Sequence, residues 1–136
     1  MSLRFGLALL VFVCAGYAQK PDSLYGDWRV TAVAGAGPVT AITGAAAARL
    51  VGHVLLLRPG RLTFAGESCR PTYDATSESA ADFVADYKTD SKILRLPNTV
   101  TRFDGDCTDL FLSSPKRIVF TWKGFFLEAV KASMAR

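Results

Sequence analysis

Few side chains in this sequence have the types and spacing that catalysis requires. The single histidine, His53, lies in the apolar run 51–57, and regular alternation places it on the face of Leu55 and Leu57. A nucleophile needs a base beside it. The sequence has no Cys-x-x-Cys pair, and a zinc site would need more ligands than His53, its only histidine. Because a histidine in such a strand is typical of core or rim packing, we expect no enzyme, no metal and no cofactor.

Three carboxylates, Asp104, Asp106 and Asp109, lie close together along a short turn. Oxygen donors of this kind can ligate calcium, but the twelve-residue loop with its distal glutamate is missing. A glycosidase pair needs two carboxylates about 5 to 9 Å apart across a cleft, and the sequence does not determine that separation. We interpret the segment as a solvated turn, and calcium binding stays open.

Residues 1–18 have the pattern of a secretory signal peptide. Arg4 makes the start basic, an apolar run covers residues 5–15, and Gly16 and Ala18 are small residues ahead of a cleavage point. The run is well short of the about 20 apolar residues that a transmembrane helix needs. Cleavage after Ala18 predicts a periplasmic or secreted protein without a stable membrane anchor. Lipidation at Cys14 and a retained anchor are the alternatives.

Cleavage after Ala18 leaves two cysteines, Cys69 and Cys107. A pair of cysteines in an exported domain is typical of one disulfide. In the chain-entropy treatment, closing a loop of this length stabilises a fold by about 4 kcal/mol. We therefore predict a structural disulfide between these two residues.

The size and charge of the mature chain, residues 19–136, predict a single domain with a solvated surface. The whole chain has a net charge of +4, and removal of Arg4 lowers it to +3. The basic residues are scattered and form no run interleaved with aromatic residues, as a nucleic-acid site would require. We expect a monomer with no nucleic-acid partner.

Alternation of apolar and polar residues predicts a series of short strands. The first has Trp28, Val30 and Ala32 on one face. The clearest hairpin turns at Lys123 and Gly124. The predicted strands cover residues 24–33, 51–57, 62–64, 93–96, 99–103, 110–112, 117–122 and 125–130.

One convincing helix is predicted, over residues 77–88. Ser79 and Asp82 fit a capping box at its start, with Ser77 as the alternative cap. An apolar stripe with helical spacing is expected to pack on the domain's own sheet. The stripe consists of Ala80, Phe83, Val84 and Tyr87.

The remaining segments connect these elements. Residues 34–44 are rich in glycine, alanine and threonine and are interpreted as a flexible connection, and residues 45–48 as a short helical turn. The number of strands favours a mainly β fold, a small antiparallel up-and-down β-barrel of about eight strands with one inserted helix. Closing the sheet removes exposed edges that would pair with other chains.

The motif Gly26-Asp27-Trp28 opens the first strand, and the sequence Trp-Lys-Gly-Phe-Phe forms the last hairpin. This arrangement resembles the lipocalin and wider calycin group of exported barrels. The resemblance implies that Trp28 packs at the closed end of the barrel and that a basic residue near the last strand, Lys131 or Lys123, covers it. The chain is also similar to small bacterial periplasmic inhibitors and immunity proteins.

Binding is the function that these observations leave. In the first hypothesis, the barrel holds a small hydrophobic or amphipathic molecule. In the second, an inhibitor or immunity protein binds and blocks a periplasmic protein through exposed aromatic residues, Tyr73, Phe125 and Phe126, or through loops at the barrel mouth. The candidate residues of the barrel interior are Leu55, Leu57, Leu62, Phe64, Val119 and Trp122.

Overall fold

The computed structural model describes residues 21–132 of the chain. The predicted signal peptide lies outside these residues. After a short 3-10 turn, Pro21–Ser23, the strands are β1 Gly26–Ala36, β2 Val54–Arg58, β3 Arg61–Phe64, β4 Glu67–Cys69, β5 Ala75–Ser79, β6 Thr99–Asp104, β7 Asp109–Ser114, β8 Arg117–Trp122 and β9 Phe125–Lys131. Two helices, α1 Gly44–Ala48 and α2 Ala80–Tyr87, complete the described part of the chain.

The nine strands form one antiparallel sheet in the order β4-β3-β2-β1-β9-β8-β7-β6-β5. Strands that are consecutive in the chain are neighbours, with the exception of β4 and β5, and β9 returns to pair with β1. The sheet curls into a half-barrel whose two edges, β4 and β5, are not paired with each other. The predicted antiparallel, mainly β class is confirmed, with nine strands where about eight were expected.

The sheet is apolar on both faces along β8, since Ile118, Val119 and Phe120 are successive buried residues. Ile118 and Phe120 face the concave interior. Val119 faces outward into a second cluster, which α2 covers. A strand buried on both faces loses its alternating pattern, so the sequence of β8 does not indicate which face is the interior.

Helix α2 packs on the outer face of the sheet, as its apolar stripe predicted. Ser79 is its cap, because the Ser79 hydroxyl accepts a hydrogen bond from the Asp82 backbone N–H at 3.1 Å. Phe83 packs against Phe111, with 5.2 Å between ring centroids. Val84 is 43% exposed, so its place in the buried stripe was wrong.

The predicted start of this helix, residues 77–79, is instead the end of β5. Glu78 pairs with Val100 and Ser79 with Thr99 in an antiparallel ladder with β6. Pairing with β6 therefore keeps residues 77–79 extended, and the helix begins only after the Ser79 cap.

The predicted strand over residues 93–96 was also wrong. The segment is a turn in which Ile93 N–H donates to the carbonyl of Asp90 and Leu96 N–H donates to that of Ser91. Arg95 has a left-handed φ of 55°, which interrupts extended backbone. Local hydrogen bonds thus replace a strand ladder, and Leu94 is buried under the turn.

The predicted disulfide between Cys69 and Cys107 is present, with 6.0 Å between the Cα atoms. It joins β4, one edge of the sheet, to the turn between β6 and β7. Tyr73 supports the same region. Its buried hydroxyl donates to the carbonyls of Arg58 and Arg61 at 2.9 and 3.3 Å, and burial raises the pKa of Tyr73 to about 12.

Glu128 on β9 clamps the turn of residues 91–96 onto the outer face of the sheet. The Arg95 guanidinium donates to both carboxylate oxygens at 2.8 Å, and Arg117 makes an ion pair at 3.0 Å. The hydrogen bonds from Arg117 and Arg95 hold the pKa of Glu128 below its usual range, although burial opposes them. Folding therefore favours the ionised carboxylate.

We expect Glu128→Gln to lower the free energy of unfolding by about 2 kcal/mol at pH 7, because it leaves Arg117 without its charge partner. A lowered folded-state pKa stabilises the fold above the unfolded-state value of about 4.3 and stops doing so as the pH falls through the folded-state pKa. The difference between wild type and variant, measured by urea unfolding, should therefore shrink below about pH 4.

Glu67→Gln is the matched control, since Glu67 makes an exposed ion pair with Lys123. Such a pair contributes about 0.5 kcal/mol. A Glu128→Gln penalty that stays constant down to pH 3 would contradict the role of its charge.

Among residues 21–132, no helix has the length and hydropathy needed to cross a membrane.

Candidate functional site

The interior of the curled sheet brings together five of the six candidate residues of the barrel interior. One buried cluster contains Leu55, Leu57, Leu62, Phe64 and Trp122. The Phe64 ring meets the rings of Phe120 and Trp122 edge to face, with centroids 5.1 and 4.9 Å apart. Interlocking aromatic rings of this kind fill the middle of the cluster.

Val119, the sixth candidate, does not join them. It is buried in the outer cluster with Phe83, Phe111 and Phe126. The three aromatic residues expected at an exposed binding surface, Tyr73, Phe125 and Phe126, are also buried. Their assignment to an exposed surface was wrong, because Phe125 and Phe126 are buried on opposite faces of β9 and Tyr73 packs into the interior cluster from the segment between β4 and β5.

Trp28 is fully buried at one end of the interior. Its Nε1–H donates to the Leu24 carbonyl at 2.8 Å. The Lys131 ammonium lies 5.5 Å from the centroid of the Trp28 ring, whereas Lys123 lies over Trp122. Of the two basic residues expected near Trp28, Lys131 is therefore the one that lies over its ring.

His53 is exposed just before β2 begins. It is exposed rather than buried with Leu55 and Leu57, because β2 begins only at Val54 and the predicted strand start at residue 51 was too early. Its ring approaches Phe64 at 6.4 Å between centroids, and its backbone carbonyl accepts from the Val30 N–H. These contacts make it a rim residue.

The carboxylates of Asp104, Asp106 and Asp109 have three different roles. Asp104 accepts from the backbone N–H of Asp106 at 2.8 Å, and Asp106 accepts from that of Arg70 at 2.9 Å. Asp109 accepts from the Tyr87 hydroxyl at 2.6 Å. Across residues 21–132, no three acidic, histidine or cysteine side chains are grouped as metal ligands.

A polar network ties α2 to β5, β6 and β7. Arg102 makes an ion pair with buried Glu78 at 3.1 Å and donates to the Tyr87 hydroxyl at 3.1 Å. Burial raises the pKa of both Glu78 and Tyr87. An open cleft of about 310 Å³ beside Arg102 is lined by Asp74, Thr76, Arg102, Asp104 and Asp109. The network positions the helix on the sheet.

The segment 37–43, which we name the presenting loop, is attached to the β8–β9 turn. Gly37 N–H donates to the Gly124 carbonyl at 2.8 Å, and Ala41 N–H donates to that of Lys123 at 2.9 Å. Gly124 has a φ of +90°, and a Cβ there would lie 2.2 Å from the carbonyl oxygen of Val39. Only glycine allows the two backbones to come this close.

The presenting loop exposes an apolar side chain on this attached backbone. Val39 is 80% exposed, while Ile42 packs against the interior cluster. The loop ends at Thr43, whose hydroxyl caps α1 by accepting from the Ala46 N–H at 3.1 Å. The glycine-rich composition suggested a flexible connection, but these contacts anchor the loop on both sides of Val39. In the sequence, only the predicted turn at Lys123 and Gly124 pointed to the place where this loop is attached.

The fold and these sites define a small curled antiparallel β protein with an apolar interior cluster and an exposed, anchored loop. No family model matches the chain, and neither a curated protein nor a solved structure matches it.

Proposed function

We propose that this protein is exported, is not an enzyme, and binds and blocks a protein target through its presenting loop. The observation that carries the proposal is the exposed Val39 side chain on a loop anchored at Gly37 and Ala41. An apolar side chain on a pre-organised backbone loses little conformational entropy on binding, which favours affinity for a protein surface.

The disulfide supports the proposed export, because disulfides persist in oxidising compartments such as the periplasm. The net positive charge, +4 for the whole chain and +3 once Arg4 is removed with the signal peptide, would favour approach to an acidic target.

A lipocalin-like role in holding a small hydrophobic or amphipathic molecule stays a prediction. The cover of Lys131 over Trp28 supports the resemblance to that group. Edge-to-face aromatic rings around Phe64 occupy the middle of the interior cluster, where a ligand would have to lie. Protein binding through the presenting loop therefore has the stronger support. The carrier role requires an interior pocket of about 300 Å³ or more, which is the size of a site for a drug-sized ligand.

The test of the proposed function is a capture experiment, in which periplasmic or secreted proteins are applied to the immobilised mature protein. We expect one stoichiometric partner for wild type and about a thirtyfold loss of affinity for Val39→Asp, because a charge at a central apolar contact removes a hot spot. Titration of the purified partner, followed by calorimetry, measures the loss.

Ile93→Asp is the matched control, since Ile93 is also apolar and 67% exposed but lies in the turn of residues 91–96. This variant should bind the partner as wild type does. Equal affinity of Val39→Asp and wild type, or no stoichiometric partner at all, would contradict the proposal.

A further inference from the structure

Three arginines lie side by side across β2, β3 and the end of β4. Arg58 is paired with Arg61 in the β2–β3 register. Leu62 is paired with Cys69, so the next position of the same ladder places Arg70 opposite Arg61. Leu62 is buried while Arg61 and Arg70 are exposed, so the arginines lie on the side of the strands away from the interior.

Only one of these arginines has an acidic partner. Arg58 makes an ion pair with Asp27 at 2.7 Å. Within residues 21–132, the guanidinium groups of Arg61 and Arg70 make no ion pair and no hydrogen bond. The Asp106 carboxylate accepts from the backbone N–H of Arg70, not from its guanidinium.

Like charges directly opposite each other on neighbouring strands destabilise a sheet. The arrangement is nevertheless held in place by the surrounding structure. The Tyr73 hydroxyl binds the carbonyl of Arg61, and the Cys69 disulfide fixes the residue before Arg70. A bound anion between the two guanidinium groups would convert this repulsion into attraction.

A pocket of about 390 Å³ opens at the arginines, lined by Gly60, Arg61, Ser68, Cys69 and Arg70. Two arginine forks offer up to four parallel N–H donors. The Ser68 hydroxyl shares a hydrogen bond with the Thr63 hydroxyl at 3.2 Å and adds a further donor when Thr63 donates to it. A tetrahedral oxyanion has three or four oxygens to accept them, whereas a carboxylate has two.

We propose that Arg61 and Arg70 bind a tetrahedral oxyanion, the phosphate or sulfate group of a small ligand. The pocket is larger than the anion itself and leaves room for the group that carries it. This site involves β3 and β4 and does not depend on the presenting loop or on the proposed protein target.

The test uses inorganic phosphate as the probe, titrated into the mature protein at pH 8 and constant ionic strength. We expect one saturable site with a Kd on the order of 1 mM by calorimetry, and shifts of the Gly60 and Ser68 amide resonances with the same Kd. Arg61→Gln and Arg70→Gln should each weaken binding about tenfold. Sulfate should bind similarly, and acetate more weakly.

Arg49→Gln is the matched control, because Arg49 is exposed at the end of α1 and makes no ion pair within the described chain. It should bind phosphate as wild type does. Thermal unfolding provides a second measurement, since phosphate at ten times its Kd should raise the Tm of wild type by about 5 °C and that of the double variant hardly at all.

Unsaturable binding would overturn the proposal, as would equal affinity of Arg61→Gln, Arg70→Gln and wild type. Acetate binding as tight as that of phosphate would overturn the assignment to a tetrahedral anion.

Discussion

Phe64→Ala is expected to lower the free energy of unfolding by about 4 kcal/mol. Phe64 is 1% exposed and lies at the centre of the interior, in edge-to-face contact with Phe120 and Trp122. Removing its ring takes away both the transfer free energy of the buried ring and the contacts of its two neighbours, which cannot close the space completely. Urea unfolding monitored by tryptophan fluorescence measures the loss.

The same variant tests what the interior can hold. An apolar cavity of about 150 Å³ in a protein core stays dry and binds benzene-sized molecules. We therefore expect Phe64→Ala to gain saturable binding of benzene that wild type lacks. Val39→Ala, a truncation at an exposed position, should change stability by less than about 0.5 kcal/mol and should bind no benzene.

Saturable binding of an apolar ligand by wild type, lost when Phe64 is replaced by the larger Trp, would favour the interior carrier over the presenting loop. A Phe64→Ala penalty below about 1 kcal/mol would contradict the description of Phe64 as a core residue.

The double variant Cys69→Ser, Cys107→Ser is expected to be about 4 kcal/mol less stable than oxidised wild type. The two cysteines are 38 positions apart, so their bond restricts a long loop in the unfolded chain. The bond also joins β4, one edge of the sheet, to the β6–β7 turn. Its loss should therefore loosen the edge strands before the centre of the sheet.

Unfolding in guanidinium, followed with and without reductant, measures this effect. Reduced wild type should match the double variant, and the double variant should be insensitive to reductant. Hydrogen exchange should show the largest increase at β4 and in residues 70–74. A stability change below about 1 kcal/mol would contradict a structural role for the disulfide.

Several elements could be predicted from the sequence because their signals are local. The hairpin of β8 and β9 follows from two apolar strands around Lys123 and Gly124. The Ser79 cap of α2 follows from the capping-box spacing. The disulfide follows from a count of two cysteines after the predicted cleavage site. Each depends on residues close in the chain or on composition alone.

Other expectations were wrong because the sheet is covered on both sides. Alternation assigned Val119 to the interior, but Ile118, Val119 and Phe120 are all buried, and the pattern does not distinguish the two faces. Residues 93–96 are apolar enough for a strand, yet the left-handed Arg95 and the Glu128 clamp hold them as a turn. Contacts to residues distant in the chain decided both cases.

The sequence by itself determined the antiparallel β class, most strand positions and the cysteine pair, because hydrophobic period, turn residues and cysteine count are local properties. Only the tertiary structure decided where the two proposed binding sites lie. The presenting loop is attached through Gly124, more than eighty positions away, and the opposed Arg61 and Arg70 depend on the register of β3 with β4. Both arise from long-range pairing, which no short stretch of sequence specifies.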